Sequence, residues 1–552
     1  VKTIVICDSS DYVSYQRFEN SILSALDFYQ IWYQTIDISY TLLEPNDLSN
    51  TNLLIIAQEA TGKKLTPDDW KIIFKQVSSG MGLLIFDGMV ASYGSLISQF
   101  TNIDGFDIKK ADTVLFEESW ISGLSAEKTI NTNIPVLVNI PLSPDKNWTV
   151  FLRDAHLNPV GIWKFFGKGR ITIIGISQGI WNKNCLGHTK GFDGIFWRSI
   201  VWTAKKPFIF KGIPPFIACR VNDATGNGKS QQDPAEMFRY VSVLNEIGFI
   251  PHVGLCIYDI KENTIYKIRD YFYQSKAEFS AHSFNRDSSE RDPSIYLGSD
   301  GREFQIDEIR NHFEEVNHTF GRYNIKHAQT INAHRSQIGL NSLYFLRENH
   351  CFFSMNLLKP GKIFSDARGL TWEPKPYGIQ NFCVDYLDDN QNIFNVVSHP
   401  GEITTRGADI DFLPISSGYS VDSIAKKGVF QIKRGLENLT SGCLMFHENR
   451  LANFSIGDFE TIISIIANEL RDIPHIFKSY DFIANYMKNR QESKIANIQY
   501  KNSHIFLVLT GKSKMGQFLF CFLENGGNIT QSFLEIPQFE KSLELTYKIQ
   551  QG

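Results

Sequence analysis

The run Pro215-Phe216-Ile217-Ala218-Cys219-Arg220-Val221-Asn222-Asp223 is an apolar stretch that ends on a carboxylate. A flexible Ala-Thr-Gly-Asn-Gly loop follows, then a periodic helix expected from Asp233 to Gly248 and a second apolar strand from Ile250 to Ile257. A strand that delivers an acid to its C-terminal end, with a loop and helix behind it, is how an α/β barrel places catalytic groups. Four further segments carry groups of the same kind: Ala277 to Ser283 with His282, Asn332-Ala333-His334-Arg335, Val396 to Pro400 with His399, and Gly442 to Glu448 with His447. Carboxylate and neutral imidazole ligate divalent cations, and both exchange protons near neutral pH. Each residue also has an ordinary explanation. Asp223 could cap a helix, His282 could be a satisfied core histidine, His399 could shape the turn before Pro400, and His334-Arg335 could pair with an acid. His312 and His318 fall on a polar helix and are expected to be solvated, and His156, His188, His475 and His504 lie away from the strand tips. The Gly226-Asn227-Gly228-Lys229-Ser230 stretch lacks the full Gly-x-x-x-x-Gly-Lys-Ser/Thr pattern of a phosphate loop, so no nucleotide site is expected there.

Holding such groups together takes a large frame, and 552 residues are too many for one ordinary core. The first two hundred residues alternate strand and helix. Strands are expected at Thr3 to Cys7, Asn52 to Ala57 and Gly82 to Asp87, with helices from about Tyr15 to Tyr29 and from Thr66-Pro67-Asp68-Asp69 to Ser79-Gly80. That pattern predicts an open, doubly wound, flavodoxin-like sheet. Lys205-Lys206-Pro207 through Pro214-Pro215 breaks both helix and strand. A second α/β region then runs to about Arg490, and Ile505 to Thr510, Gly516 to Leu523 and Phe539 to Tyr547 read as strands of a small terminal β-sandwich. The expected domains are residues 1–206, 207–492 and 493–552.

A net charge of -4 leaves no basic footprint for nucleic acid. No run approaches the roughly 18 apolar residues of a membrane span. The chain begins with Val1, which suggests a trimmed or processed product, with a signal or anchor ahead of it left open. The eight cysteines form no Cys-x-x-Cys pair, and Cys7, Cys219, Cys256, Cys443 and Cys521 sit in apolar runs, so buried free thiols are expected. Most of the 42 Phe belong to cores, while Trp and Tyr could form platforms for sugar rings.

Two resemblances add to this. Gly167-Lys168-Gly169-Arg170 leads into a strand from Ile171 to Ile176, then a loop with His188 and a helix from about Phe196 to Ala204 with Trp197 and Trp202. Over roughly residues 1–205 this resembles the class I glutamine-amidotransferase-like fold in its ThuA-like variant. An active amidotransferase of that kind places a Cys at a sharp strand–helix turn. Here the strand ends Phe86-Asp87-Gly88-Met89, so the domain is expected to be non-catalytic, serving as a scaffold or as a glycan or oligomer contact.

The order of segments from Asp223 to Glu448 is similar to the polysaccharide deacetylases of carbohydrate esterase family 4, the NodB-homology type, over roughly residues 214–490. The resemblance implies a distorted (β/α) barrel and a divalent metal, zinc first. Position by position, Asp223 matches the metal-binding Asp, His282 the first metal His, Arg335 the orienting Arg, and His447 the late general acid. Two positions depart from the pattern. Asn222 stands where the family has its general base, and Arg286 stands where the second metal His belongs. An amide cannot take a proton at neutral pH, and guanidinium does not ligate metals. His399 and His334 are candidates from other strands, His399 as the third ligand and His334 with Asn222 and Arg286 at the substrate. Asp287 or Glu448 would supply the missing base.

The function expected from this is a metal-dependent hydrolase acting on a polysaccharide or oligosaccharide, by N-deacetylation of an amino-sugar polymer. The metal would polarise the acetamide carbonyl and activate water. The alternatives are a glycoside hydrolase using paired carboxyls, Asp223 with Glu448 or Asp287, and a non-catalytic glycan-binding or assembly protein. The family's usual substrates imply an extracytoplasmic location.

Overall fold

The computed structural model describes residues 1–123, 128–182, 184–188, 191–286, 292–355, 364–365, 371–372, 385–396 and 420–549. Two compact units emerge, one holding Val1–Gly212 with Asn489–Gly552, the other lying within Ile213 to Lys488. Both are mixed α/β.

In the first unit, β1 (Lys2–Cys7), β2 (Tyr33–Asp37), β3 (Thr51–Ile56), β4 (Gly82–Phe86), β5 (Gly105–Phe116), β6 (Thr129–Leu142), β7 (Thr149–Asp154), β8 (Pro159–Phe166) and β9 (Gly169–Ile174) make one sheet. Its order is β2-β1-β3-β4-β9-β8-β7-β5-β6. The stretch β2-β1-β3-β4-β9 is parallel throughout, and the rest is antiparallel. Parallel strands are covered on both faces, which is why Leu53 to Ile56 and Leu83 to Phe86 read as unbroken apolar runs and are wholly buried. The helix Pro67–Ser78 starts on a capping box between Thr66 and Asp69. The helical stretch expected from Tyr15 begins earlier, at Tyr12 behind an Asp11 cap, and passes through a π-helical turn at Glu19–Leu23. At the turn after β4, Asp87 accepts from the Tyr93 hydroxyl at 2.6 Å, from Met89 N at 2.7 Å and from Ala60 N at 2.8 Å. Burial pushes its carboxyl up to about 7. Asp87 pins this turn.

The strands near the C-terminus belong to this same unit. β10 (Phe208–Phe210) pairs with Gln517–Asn525, which pairs with Asn528–Ile536. Ser493–Lys501, His504–Ser513 and Phe539–Lys548 form a second antiparallel sheet. Phe210 stacks on Phe520 at 5.2 Å, and the buried Arg490 donates to Phe28 O and Lys211 O. The described cysteines are free and buried. No described helix is long and apolar enough to cross a membrane.

In the second unit, β11 (Phe216–Ala224), β12 (Pro251–Cys256) and β13 (Glu278–Ser283) join the strand Gly442–His447 in a parallel sheet. β11 lies between β12 and Gly442–His447, with Ile476–Phe477 also pairing its start. A separate small sheet begins at β14 (Thr330–Ile331) and continues through Phe353–Ser354 and Phe394–Asn395 to Asp385–Tyr386. Among the described residues, hydrogen bonds do not close these two sheets into one ring. The helices Ile306–Tyr323 and Ile456–Leu470 each open on a capping box. The helix expected from Asp233 to Gly248 is shorter, Arg239–Glu246. Met237 and Phe238 take φ of 54° and 55°, and Met237 N turns back to donate to Gly226 O, so the segment after Asp233 folds onto the loop instead of extending the helix.

Candidate metal centre

Three strand ends build the centre. β11 brings Asn222 and Asp223, β13 brings His282, and the turn after β14 brings Asn332 and His334. Register does part of the work, because Asn222 pairs directly with His447 of the neighbouring strand. An irregularity between Val221 and Ala224 breaks the pairing with β12, and Asp223 sits there with φ of 52°. A non-glycine residue held in that region costs of order 1–3 kcal/mol and needs surroundings that enforce it.

Those surroundings are Glu448 and Arg286. Glu448 is fully buried. Its carboxylate accepts from Thr225 N at 2.6 Å, Gly226 N at 3.0 Å and the Tyr240 hydroxyl at 3.1 Å. Arg286 Nη2 lies 3.1 Å from Glu448 Oε1, and its Nε and Nη2 donate to the backbone carbonyl of Asp223 at 3.1 and 2.7 Å. Together they hold the backbone from the Asp223 carbonyl to Gly226. Burial pushes the Glu448 carboxyl up to about 7 against the opposing pull of Thr225 N and Arg286.

His282 carries the electrostatic argument. It is buried, and its Nδ1 lies 2.6 Å from Asn332 O. A carbonyl oxygen only accepts, so Nδ1 holds the ring proton and Nε2 of the neutral ring presents a lone pair. That nitrogen faces Asp223 Oδ1 at 3.1 Å, and Oδ1 gains no hydrogen bond of proper geometry. Two acceptors placed so close are satisfied by a cation between them or by a second proton on His282. His334 Nδ1 is likewise buried without a hydrogen-bond partner, and the two rings stand 5.3 Å apart. One ligand atom from each of Asp223, His282 and His334 lies within 4.8 Å of the others. Burial would raise the Asp223 carboxyl, but the His282 contact and the nearby His447 and His334 rings outweigh it and hold the group well below the usual carboxylate range. Burial, helped by His282, pushes His334 down to about 4, so its ring is neutral at physiological pH. Two imidazole nitrogens and one carboxylate are a protein donor set of catalytic zinc sites, and a His Nδ1–H on a carbonyl is the usual way to orient such a ligand.

The structure thus gathers Asp223, His282, His334, Asn222 and His447. It does not bring every expected residue to the centre. Glu448, expected as a catalytic carboxyl, is spent on the loop backbone, and Arg286, expected at the substrate, is spent on Asp223 O and Glu448. Arg335 is exposed, with its Nη1 on Ser299 O at 3.0 Å. His399 and Asp287 lie outside the described residues. Three supporting residues carried no role in the sequence analysis. Arg220 is buried in the middle of β11, Asn332 is fully buried, and Gly254 of β12 leaves the space both His282 and Asn332 occupy. A cation within an apolar strand run was the available signal for Arg220, since a buried Arg must have partners.

No family model and no curated protein matches the chain. Solved structures align with parts of it. A protein described as a polysaccharide deacetylase from Mycobacterium smegmatis is 12% identical, with 52% of this chain and 96% of that one covered at a TM-score of 0.35. A ThuA-like protein from Parabacteroides merdae is 11% identical over 32% of this chain and 78% of its own, TM-score 0.23. An allantoinase is 10% identical over 49% of this chain and 89% of its own, TM-score 0.32.

Proposed function

We propose that the second unit is a metal-dependent hydrolase acting on a polysaccharide, and that it removes acetyl groups from the nitrogen of an amino-sugar polymer. One observation carries the metal: with its Nδ1 proton committed to Asn332 O, His282 turns Nε2 to Asp223 Oδ1 at 3.1 Å, and one ligand atom of His334 lies within 4.8 Å of the others. Asp223, His282 and His334 would hold the ion, zinc by their donor types. When bound it supplies Lewis acidity to the amide carbonyl. The rest falls to the chain. Arg286 and Glu448 keep Asp223 in place, Asn332 keeps His282 turned, and His447, half-buried beside Asn222, faces the reacting amide as its proton carrier. The frame we propose is a distorted (β/α) barrel of NodB type, accompanied by a non-catalytic ThuA-like domain and placed outside the cytoplasm, where such polymers are met.

A glycosidase needs two carboxyls flanking the bond. Glu448 would be the second, and its burial and backbone bonds weigh against that role. Acetate release from acetylated amino-sugar oligomers, measured together with metal content, tests the proposal. Native protein should release acetate and carry about one equivalent of zinc, and Asp223→Ala and His282→Ala should lose both. Shorter reducing sugars without acetate would point to a glycosidase, and glycan binding without any product to a binding protein.

A further inference from the structure

Asn222 replaces the acid that would serve as base, yet its surroundings determine which way its amide faces. Arg220 Nε donates to Asn222 Oδ1 at 2.9 Å, and Asn332 Nδ2 donates to the same oxygen at 2.8 Å. Asn332 itself is not free to flip, because its Nδ2 also donates to Val221 O at 3.2 Å. All these residues are at least nine-tenths buried. With its oxygen held by donors, Asn222 must present its NH2 group on the other side, and there it meets His447 Nε2 at 3.3 Å. An amide N–H can be received only by a ring nitrogen that carries no proton.

We infer that Asn222 holds His447 in the tautomer whose Nε2 is a proton acceptor, and that His447 is both the base and the acid of the reaction. This rests on the deacetylation reading for its chemistry, though not for the tautomer. An aspartate at 222 would do the reverse, since a carboxylate accepts and would draw a proton onto Nε2. In the reaction an incoming water takes the place of the Asn222 amide at the Nε2 lone pair. In the first step an O–H bond of that water breaks, its proton passes to His447 Nε2, and its oxygen bonds the amide carbon as the carbonyl π pair moves onto the carbonyl oxygen. In the second step that pair re-forms the C=O bond while the C–N bond breaks with its electron pair going to nitrogen, and the same proton passes from Nε2 to the departing amine. One water and one amide become one carboxylic acid and one amine, and His447 returns to its starting state. Asn222 is a positioning residue here and His447 the catalytic one. The second carboxylate near this pair among the described residues, Glu448, stays on its loop.

The experiment is a long-range 1H–15N correlation spectrum of the full chain labelled at histidine, at about pH 8, above the ordinary histidine range, with His447 assigned by its loss in His447→Gln. The native ring should show Nε2 without a proton and Nδ1 with one. In Asn222→Asp the proton should move to Nε2. A native spectrum with Nε2 protonated overturns the inference, as does an Asn222→Asp spectrum identical to the native one. If that variant does not fold, the native spectrum decides alone. In the activity arm, His447→Gln should lower acetate release by about 100-fold or more with metal content unchanged, and unaltered release overturns the double role. If the native chain releases no acetate, the deacetylation reading fails and the spectrum still tests the tautomer.

Discussion

Gly254→Ala concentrates the packing of the centre into one methyl group. Gly254 lies within β12, and a Cβ built there would stand 2.7 Å from Asn332 Nδ2 and 3.1 Å from His282 Cβ. Neither neighbour can step aside without breaking something. Asn332 would leave Val221 O and Asn222 Oδ1, and its own carbonyl, which orients His282, would shift with it. Two lost hydrogen bonds cost about 1 kcal/mol each, and forcing a methyl into a filled site costs about 1–3 kcal/mol. The expected loss is therefore about 3–5 kcal/mol, against about 1 kcal/mol for an average substitution. The same displacement should weaken zinc binding by about 10–100-fold, the usual effect of disturbing a ligand's supporting hydrogen bond. Urea unfolding followed by circular dichroism reads the first effect, and zinc titration against a competing chelator reads the second. Gly321→Ala is the control. It lies in the helix Ile306–Tyr323, its added Cβ meets nothing within 4 Å, and it should stabilise by about 0.5–1 kcal/mol. A Gly254→Ala protein that unfolds at the native midpoint and binds zinc as tightly as the native chain would refute the packing account.

Other perturbations follow from the same contacts. Arg286→Ala leaves Glu448 buried without its cation and should cost about 3–5 kcal/mol in unfolding free energy, whereas adding Glu448→Gln should recover part of that loss in a double-mutant cycle. Removing zinc with a chelator should lower the melting temperature of the native protein, since a ligand at about 100 times its Kd contributes about 2.7 kcal/mol. Asp223→Ala should melt at one temperature with and without zinc. Burial raises the Glu278 carboxyl from 4.5 to about 7, so the folded state favours its protonated form. Its contribution is complete below pH 4.5 and is lost as the pH rises towards about 7. Glu278→Gln should flatten the fall in stability over that window, measured by denaturant unfolding across pH.

Legibility followed the range of the signal. Apolar runs and caps are local, so β4 and the helix start at Thr66 could be read directly from sequence. The pairing of Asn222 with His447 spans 225 residues and depends on a parallel register set by crossovers, which no window contains. Adjacent residues at a strand end also face opposite ways. That is why His447 reaches Asn222 while Glu448, its neighbour in sequence and equally plausible as chemistry, turns into the loop after Asp223. Spacing located Arg286 but could not show that its guanidinium would serve a backbone carbonyl. Helix periodicity after Asp233 overran because it takes no account of the Met237 contact to Gly226 O.

Asn222 and Arg286 look like losses when only their types are considered, since one cannot take a proton and the other cannot hold a metal. Their partners give each a different job. Arg286 restrains the backbone of Asp223 from outside, with Glu448 as its buried counter-charge. Asn222 is oriented by Arg220 and Asn332, and Asn332 uses its side chain on Asn222 and its backbone carbonyl on His282. A single buried asparagine therefore orients one imidazole directly, at the proposed cation site, and another through Asn222, at the proposed proton carrier. A centre built with Asn222 and Arg286 is internally consistent only if these supports are intact, and Arg220, Asn332 and Gly254 are where that consistency is held.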